Sequence, residues 1–244
     1  MKETIESISL EGLAIAFVPV LIVIVLLWKW NLSYKNSLYA LMRMLIQLFL
    51  IGYFLAYIFE AQSQWIVILV LSVMLLVSSW ISLRTMTIPR RQLYAKCLVS
   101  ILLGGGFVLL LVTRGVLALQ PWYLPSYMVP LAGMIFSNSM NSISLAGERL
   151  EAELTVNTPY QEARNKALNA ALIPITNSLF AVGVVSIPGM MTGQILAGVS
   201  PFIAARYQIM VMCMIFGSTG ISVAMFLLLV KNSFNAGISG RGPN

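Results

Sequence analysis

ERLEAELTVNTPYQEARNKALNA, Glu148–Ala170, is the longest polar stretch in a chain otherwise built of apolar blocks. Its reading decides the fold, because the sequence on either side is too apolar for a water-soluble domain. Hydrophobic residues fill 59% of the 244 positions and charged residues 9%, against about 45–50% and about 25% in soluble domains. Several blocks reach the ~20 residues that a helix needs to cross a bilayer, and none alternates like the strands of a membrane barrel. The composition predicts an all-α, polytopic helical membrane protein in which the polar stretch joins two spans.

Working outward, the apolar runs place spans at Leu10–Trp28, Leu38–Phe59, Trp65–Leu83, Cys97–Val112, Tyr127–Gly147, Leu172–Ile187 and Arg206–Val230, about seven in all. Charge orients them. With the N-terminus outside, inner segments carry Lys29, Lys35, Arg84, Arg90, Arg91, Lys96, Arg149, Arg164, Lys166, Lys231 and Arg241, and outer ones only Lys2, Arg114 and Arg206. That bias puts the C-terminus in the cytoplasm. Residues 1–231 then form one transmembrane permease domain, with 148–170 as a cytoplasmic segment and 232–244 as a flexible cytoplasmic tail. No small-residue cleavage site follows Leu13–Trp28, so it reads as a retained span. Arg43, near the inner end of the second span, either snorkels to the interface or bonds Gln47.

Two stretches break the pattern. PGMMTGQILAGVSP, Pro188–Pro201, has too much Gly and Pro for a straight span and too few polar residues for a loop; it predicts a re-entrant or broken-helix element around Pro188, Gly189, Met190, Met191 and Gly193. Gly104, Gly105 and Gly106 read as a close-packing surface or a kink. Cys97 and Cys213, far apart in apolar blocks, read as packing residues rather than a disulfide or metal pair.

The chemistry is bounded by absences in the sequence. There is no histidine and no aspartate, and the glutamates (3, 6, 11, 60, 148, 151, 153 and 162) all lie outside the spans or at their ends. A charge at mid-bilayer costs roughly 2.5–3.5 kcal/mol, and a proton-driven carrier keeps a titrating group there. No such group is visible, and no triad or histidine-based zinc site can be assembled. The chain also has no GxxxxGK[ST] loop. Work must come from sodium held by neutral oxygens or from a separate engine, and an integral enzyme is disfavoured. The net charge of +7 is accounted for by membrane topology, not nucleic acid.

In the polar stretch, Thr158, Pro159 and Gln161 read as a helix start, with Thr158 as cap, Pro159 at the first helical position and Gln161 closing a capping box. Glu162 and Lys166 pair at i, i+4, while Tyr160, Ala163 and Ala167 line up on a shallow apolar face. A short inner-surface helix with these residues and Arg164 exposed either fits a groove on a partner or simply links two spans on the head groups. Glu148, Glu151 and Glu153 read as a solvated charge run. Within GMIFSNSMNSIS, Gly133–Ser144, the side chains of Asn138, Asn141 and Ser142 recur at helical spacing, as do Ser137 and Asn141. They are either inter-helix glue or a water-lined substrate pathway, which Asn177 and Ser178 near Pro174 could share.

MVPLAGMIFSNSMNSISL, RNKALNAALIP, VGVVSIPGMMTGQILAGVSP and ARYQIMV resemble the FetB-type permeases, membrane subunits of an iron-export ABC transporter with plant relatives linked to aluminium tolerance. The resemblance covers most of the chain and is most specific between Met128 and Val211. It implies a multi-pass permease of the bacterial inner membrane, working as a homodimer with a cytoplasmic FetA-type subunit that binds the ATP; no cofactor is implied in this chain and the metal ligands stay unknown. It also places Thr158–Ala170 where ABC permeases carry a coupling helix. Many such permeases have a Gly before that helix, where this chain has Val156 and Asn157. The alternative class is a stand-alone ion channel or sodium-coupled carrier using the Asn/Ser stripe; no feature supports a non-transporting scaffold.

Overall fold

A computed structural model describes residues 9–60 and 63–234. Within them the chain is helical, with no strand beyond an isolated bridge between Val182 and Ser186. It divides into two compact units, Met1–Glu60 and Ala61–Asn244, with the boundary between them inside the 1–231 expected as one permease domain.

In the first unit, α1 (Leu10–Ile15) starts at Ser9, whose Oγ accepts the Gly12 N–H at 3.1 Å. A turn separates it from α2 (Val18–Lys29), and α3 (Tyr34–Glu60) follows. Arg43 and Gln47 are both exposed on α3. No hydrogen bond joins them among the described residues, so of the two readings of Arg43 the bonded one is corrected.

The second unit contains α4 (Gln64–Ser82), a 3-10 turn (Leu83–Thr85), α5 (Arg90–Leu110) continued by a π-helical stretch (Leu111–Val116), α6 (Pro125–Thr155), α7 (Tyr160–Ala181), α8 (Gly189–Leu196) and α9 (Pro201–Leu229). α5, α6 and α9 pack on one another, α4 lies against α5 and α6, and α7 lies against α6 and α9. Glycines set how closely they approach. A Cβ on Gly104 would stand 2.7 Å from the Ser222 backbone nitrogen, and one on Gly105 would stand 2.7 Å from Ile135 Cγ2. α9 and α6 thus both seat on the same glycine pair of α5, while Gly106 meets only a Leu102 methyl at 3.8 Å. Close packing is the role of the first two, as small residues do between membrane helices.

Among the described residues, five helical stretches have the length and apolar composition to cross a membrane: Glu11–Lys29, Tyr34–Phe59, Gln64–Thr85, Arg90–Val116 and Pro201–Leu229. The chain is a multi-pass helical membrane protein. The expected spans in α6 and α7 fall short of that measure because Asn and Ser dilute the apolar run of α6, and Glu162, Arg164 and Lys166 begin α7.

Three expectations are corrected. The surface helix 158–170 and the span Leu172–Ile187 are not separate: α7 runs unbroken from Tyr160 to Ala181, through Pro174. The chain then turns, and α8 occupies the middle of the Gly/Pro-rich segment as a short helix between two longer ones. α8 ends where Gly198, at φ 88°, reverses the backbone, a conformation that glycine adopts without a Cβ clash. The tail does not begin at 232. Lys96 Nζ donates to Ser233 Oγ at 2.6 Å and Phe234 is 2% exposed, so residues 232–234 belong to the packed unit, and 235–244 lie outside the described residues. Cys97 is buried, its Sγ 2.9 Å from Ser82 Oγ, whereas Cys213 is exposed rather than packed.

Candidate functional site

The α6–α7 connection is built by a specific turn. Thr158 N–H donates to Glu153 C=O (3.2 Å) and Asn157 N–H to Leu154 C=O (3.1 Å), with Asn157 at φ 60°. This is the paired 6→1 and 5→2 closure of a helix C-terminus. Asparagine tolerates the left-handed conformation better than other non-glycine residues, so Asn157 does here what a glycine would do, and the departure at Val156–Asn157 leaves the turn intact. The expected capping box is not formed. Pro159 is the residue before the first helical position, no side chain caps α7, and Thr158 Oγ1 donates instead to Glu153 Oε2 at 3.1 Å.

Glu153 is the hub of this end. Its side chain is 9% exposed and accepts from Arg149 and, at 3.0 Å, from Lys166, which also reaches Glu162 at 2.8 Å. A carboxylate in the last turn of a helix faces the negative end of the dipole, and three donors offset that. The hydrogen bond from Lys166 is the main cause holding the Glu153 carboxyl below its usual range, and bonds to Glu162 and Glu153 raise Lys166. Glu151 accepts from the Thr87 N–H at 3.0 Å and the Ile88 N–H at 3.3 Å, fixing the loop that leads into α5. The solvated charge run is therefore corrected: only Glu148 among the three is exposed.

The face bearing Tyr160, Ala163 and Ala167 is also corrected. Ala163, Ala167 and Ala171 are each 0% exposed, forming an i, i+4 ridge in a helix that packs on α6 and α9. Tyr160 O–H donates to Leu227 C=O of α9, and burial pushes its pKa up to about 12. What the segment presents outward is Val156, Asn157, Gln161, Glu162 and, in part, Arg164, whose guanidinium rests on Asn165 Oδ1 at 3.1 Å.

The α6 stripe splits. Asn138 Nδ2 donates to its own helix at Met134 C=O (2.8 Å), Asn141 is exposed, and Ser142 is 6% exposed. Asn141 lines a cleft of about 350 Å3 with Arg84, Thr85, Ser144 and Glu148; Ser144 Oγ donates to Ser82 C=O of α4 at 2.7 Å. Asn177 and Ser178 are exposed near the end of α7, Ser178 donating to Pro174 C=O at 3.0 Å, and no hydrogen bond joins them to the α6 residues among the described residues. In α8, Gly189 and Gly193 are exposed and Met190 packs on the core.

Sequence reasoning missed a set of buried hydroxyls. Ser139 of α6 and Thr219 and Ser222 of α9 are each 0% exposed, yet their oxygens, and Gln208 Oε1, find no partner within the protein among the described residues. Each such group costs about 1–3 kcal/mol. The available signal was the 3–4 spacing of Ser218, Thr219 and Ser222 in an apolar helix. No group of three or more His, Cys, Asp or Glu side chains that could hold a metal occurs among the described residues.

Comparison with known proteins fits this architecture. A model of the uncharacterised protein family UPF0014 matches residues 10–160 and 154–234. The chain belongs to this family. A UPF0014 membrane protein of Synechocystis sp. is 37% identical over 211 residues, 79% of this chain and 81% of that protein. The Escherichia coli protein named "Probable iron export permease protein FetB" is 31% identical over 250 residues, 94% of this chain and 93% of its own length. ALUMINUM SENSITIVE 3 of Arabidopsis thaliana is 31% identical over 238 residues, 91% of this chain and 85% of its own. No solved structure matches. The UPF0014 assignment bears out the resemblance on which the sequence reading rests.

Proposed function

We propose that this chain is the permease subunit of an ABC transporter in a bacterial cytoplasmic membrane, exporting iron or a related metal with work done by a separate ATP-hydrolysing subunit. In this reading α6 and α7 also cross the bilayer, making seven spans with the N-terminus outside, and two copies form the complete pathway. The similarity to FetB supports the cargo class, and the absence of a nucleotide-binding loop from the sequence assigns hydrolysis to another chain.

The observation that carries the docking claim is the tip of the α6–α7 hairpin. Val156 is 71% exposed there, an apolar knob beside Asn157, Glu162 and Arg164, with the ion pairs of Glu153 behind it. A mixed apolar and charged tip is what a groove on a cytoplasmic partner can grip. Docking therefore runs through Glu162 and Arg164 with Val156, while Thr158, Tyr160, Ala163 and Ala167 hold the tip in place from behind.

The test is Val156→Asp in membranes that also contain the candidate ATPase. Co-purification and ATP-dependent metal efflux should both be lost while the thermal unfolding of the permease is unchanged. Normal co-purification with the variant would refute docking at this tip; metal flux at wild-type rate without ATP would refute the ABC assignment.

A further inference from the structure

Buried hydroxyls in helices usually turn back onto their own helix. Ser79 donates to Leu75 C=O at 2.8 Å, Ser100 to Lys96 C=O at 2.7 Å, Thr113 to Leu109 C=O at 2.8 Å and Ser218 to Ile215 C=O at 3.2 Å. That bond satisfies the group without help from another helix. Ser139, Thr219 and Ser222 are in the same bundle, equally buried, and do not make it.

Helix contacts set these three along one junction, with Ser139 and Thr219 displaced in opposite directions from the level of Ser222. Ser222 faces Gly104, where a Cβ would lie 2.5 Å from Ser222 Oγ, and Ile135 faces the next residue, Gly105. Ser139 is one turn beyond Ile135 on α6, and Thr219 is one turn before Ser222 on α9. All three therefore gather where α5, α6 and α9 meet. Gln208, whose Oε1 is also unpartnered, lies three turns from Thr219 and on the same side of α9, since eleven residues come back to nearly the same angle. Packing alone explains a small residue opposite Gly104, but alanine would fill that slot without leaving an oxygen orphaned.

We infer that Ser139, Thr219 and Ser222 line a route through the α5–α6–α9 junction that admits water and passes a hydrated metal cation held by neutral oxygens. This rests on the transport reading above and moves the route from the exposed Asn141 stripe to the bundle interior. Neutral oxygens suit passage. They replace part of a hydration shell without the tight grip of carboxylates or thiolates, so a cation enters and leaves.

The experiment uses the full chain in native membrane vesicles. In a background with Cys97→Ser and Cys213→Ser, single Ser139→Cys, Thr219→Cys and Ser222→Cys variants are exposed to a small cationic methanethiosulfonate reagent, with Ser79→Cys as the buried, back-bonded control. The three should react at least tenfold faster than the control, and ferrous ion should slow them severalfold. Reaction no faster than the control would overturn the route, and fast labelling that ferrous ion does not slow would overturn the cation assignment. In parallel, Ser222→Ala, Ser139→Ala and Thr219→Val should keep or raise the melting temperature while cutting metal flux at least tenfold; lowered stability with normal flux per folded molecule would make the hydroxyls structural and sink the inference. If labelling behaves as stated but the wild type moves no metal in either direction, the water route stands and the proposed export function falls.

Discussion

Lys166 Nζ lies 3.0 Å from Glu153 Oε2, thirteen residues upstream, and ties the first turns of α7 to the last turn of α6. Lys166 also pairs with Glu162 on its own helix, but that pair sits on the surface and adds little, as exposed pairs do. Glu153 is different because its carboxylate also serves Arg149 and Thr158.

Glu153→Gln should therefore lower the melting temperature clearly more than Glu162→Gln. The pH dependence follows from the direction of the shift. With its pKa lowered in the folded state, Glu153 contributes stability above the normal carboxylate range and loses it as pH falls through the lowered value. The gap between wild type and Glu153→Gln should be wide at neutral pH and close in acid, below the usual carboxylate pKa. Lys166, raised in the folded state, contributes fully below the normal lysine pKa and loses its share only as pH rises through the raised value. Thermal unfolding in detergent across this range measures both limbs.

Ala167 is fully buried in the ridge that α7 lays on its neighbours. Ala167→Leu should destabilise the unit by about 1–3 kcal/mol through overpacking. Arg164→Glu, on the outward side, should leave the unfolding transition in place. A melting comparison of the two separates the inner face of this helix from its outer face.

Much of this was legible in the sequence and some was not, for identifiable reasons. Composition and apolar run length fixed the helical membrane class, the Glu162–Lys166 pair followed from spacing, and close packing was one of the two readings open for Gly104, Gly105 and Gly106. The Ala163–Ala167–Ala171 ridge misled because small apolar residues at i, i+4 look the same whether they meet a partner or the helix next door; only the tertiary contact with α6 and α9 decides. Glu153 misled for a related reason. Its partner Lys166 is distant in sequence, and a hairpin turn that brings them together depends on Asn157 adopting a left-handed conformation. Ser139, Thr219 and Ser222 were hidden because a serine that bonds its own helix and one that does not have the same letter.

Tyr160→Phe removes one bond, the phenolic donation to Leu227 C=O, and keeps the ring. Loss of a single neutral hydrogen bond should cost about 0.5–1.5 kcal/mol, with the unpaired carbonyl pushing toward the upper end. Unfolding of the purified variant gives the number. Unchanged stability would mean that the ring, and not the hydroxyl, secures α7 to α9.

Gly104 and Gly106 make a matched pair two residues apart on α5. A methyl at 104 would stand 2.7 Å from the Ser222 nitrogen and 2.9 Å from its Cα. Those are backbone atoms, so no rotamer change relieves them, and α9 must shift; Gly104→Ala should cost about 1–3 kcal/mol. Adding Ser222→Gly removes the hydroxyl but not the backbone clash, and should fail to restore stability. At 106 the nearest atom is a flexible Leu102 methyl at 3.8 Å, and alanine is the better helix former by roughly 0.5–1 kcal/mol. Gly106→Ala should hold or raise the melting temperature. If Gly104→Ala is equally well tolerated, the close seat of α9 on α5 is wrong, and the junction along which Ser139, Thr219 and Ser222 are placed is wrong with it.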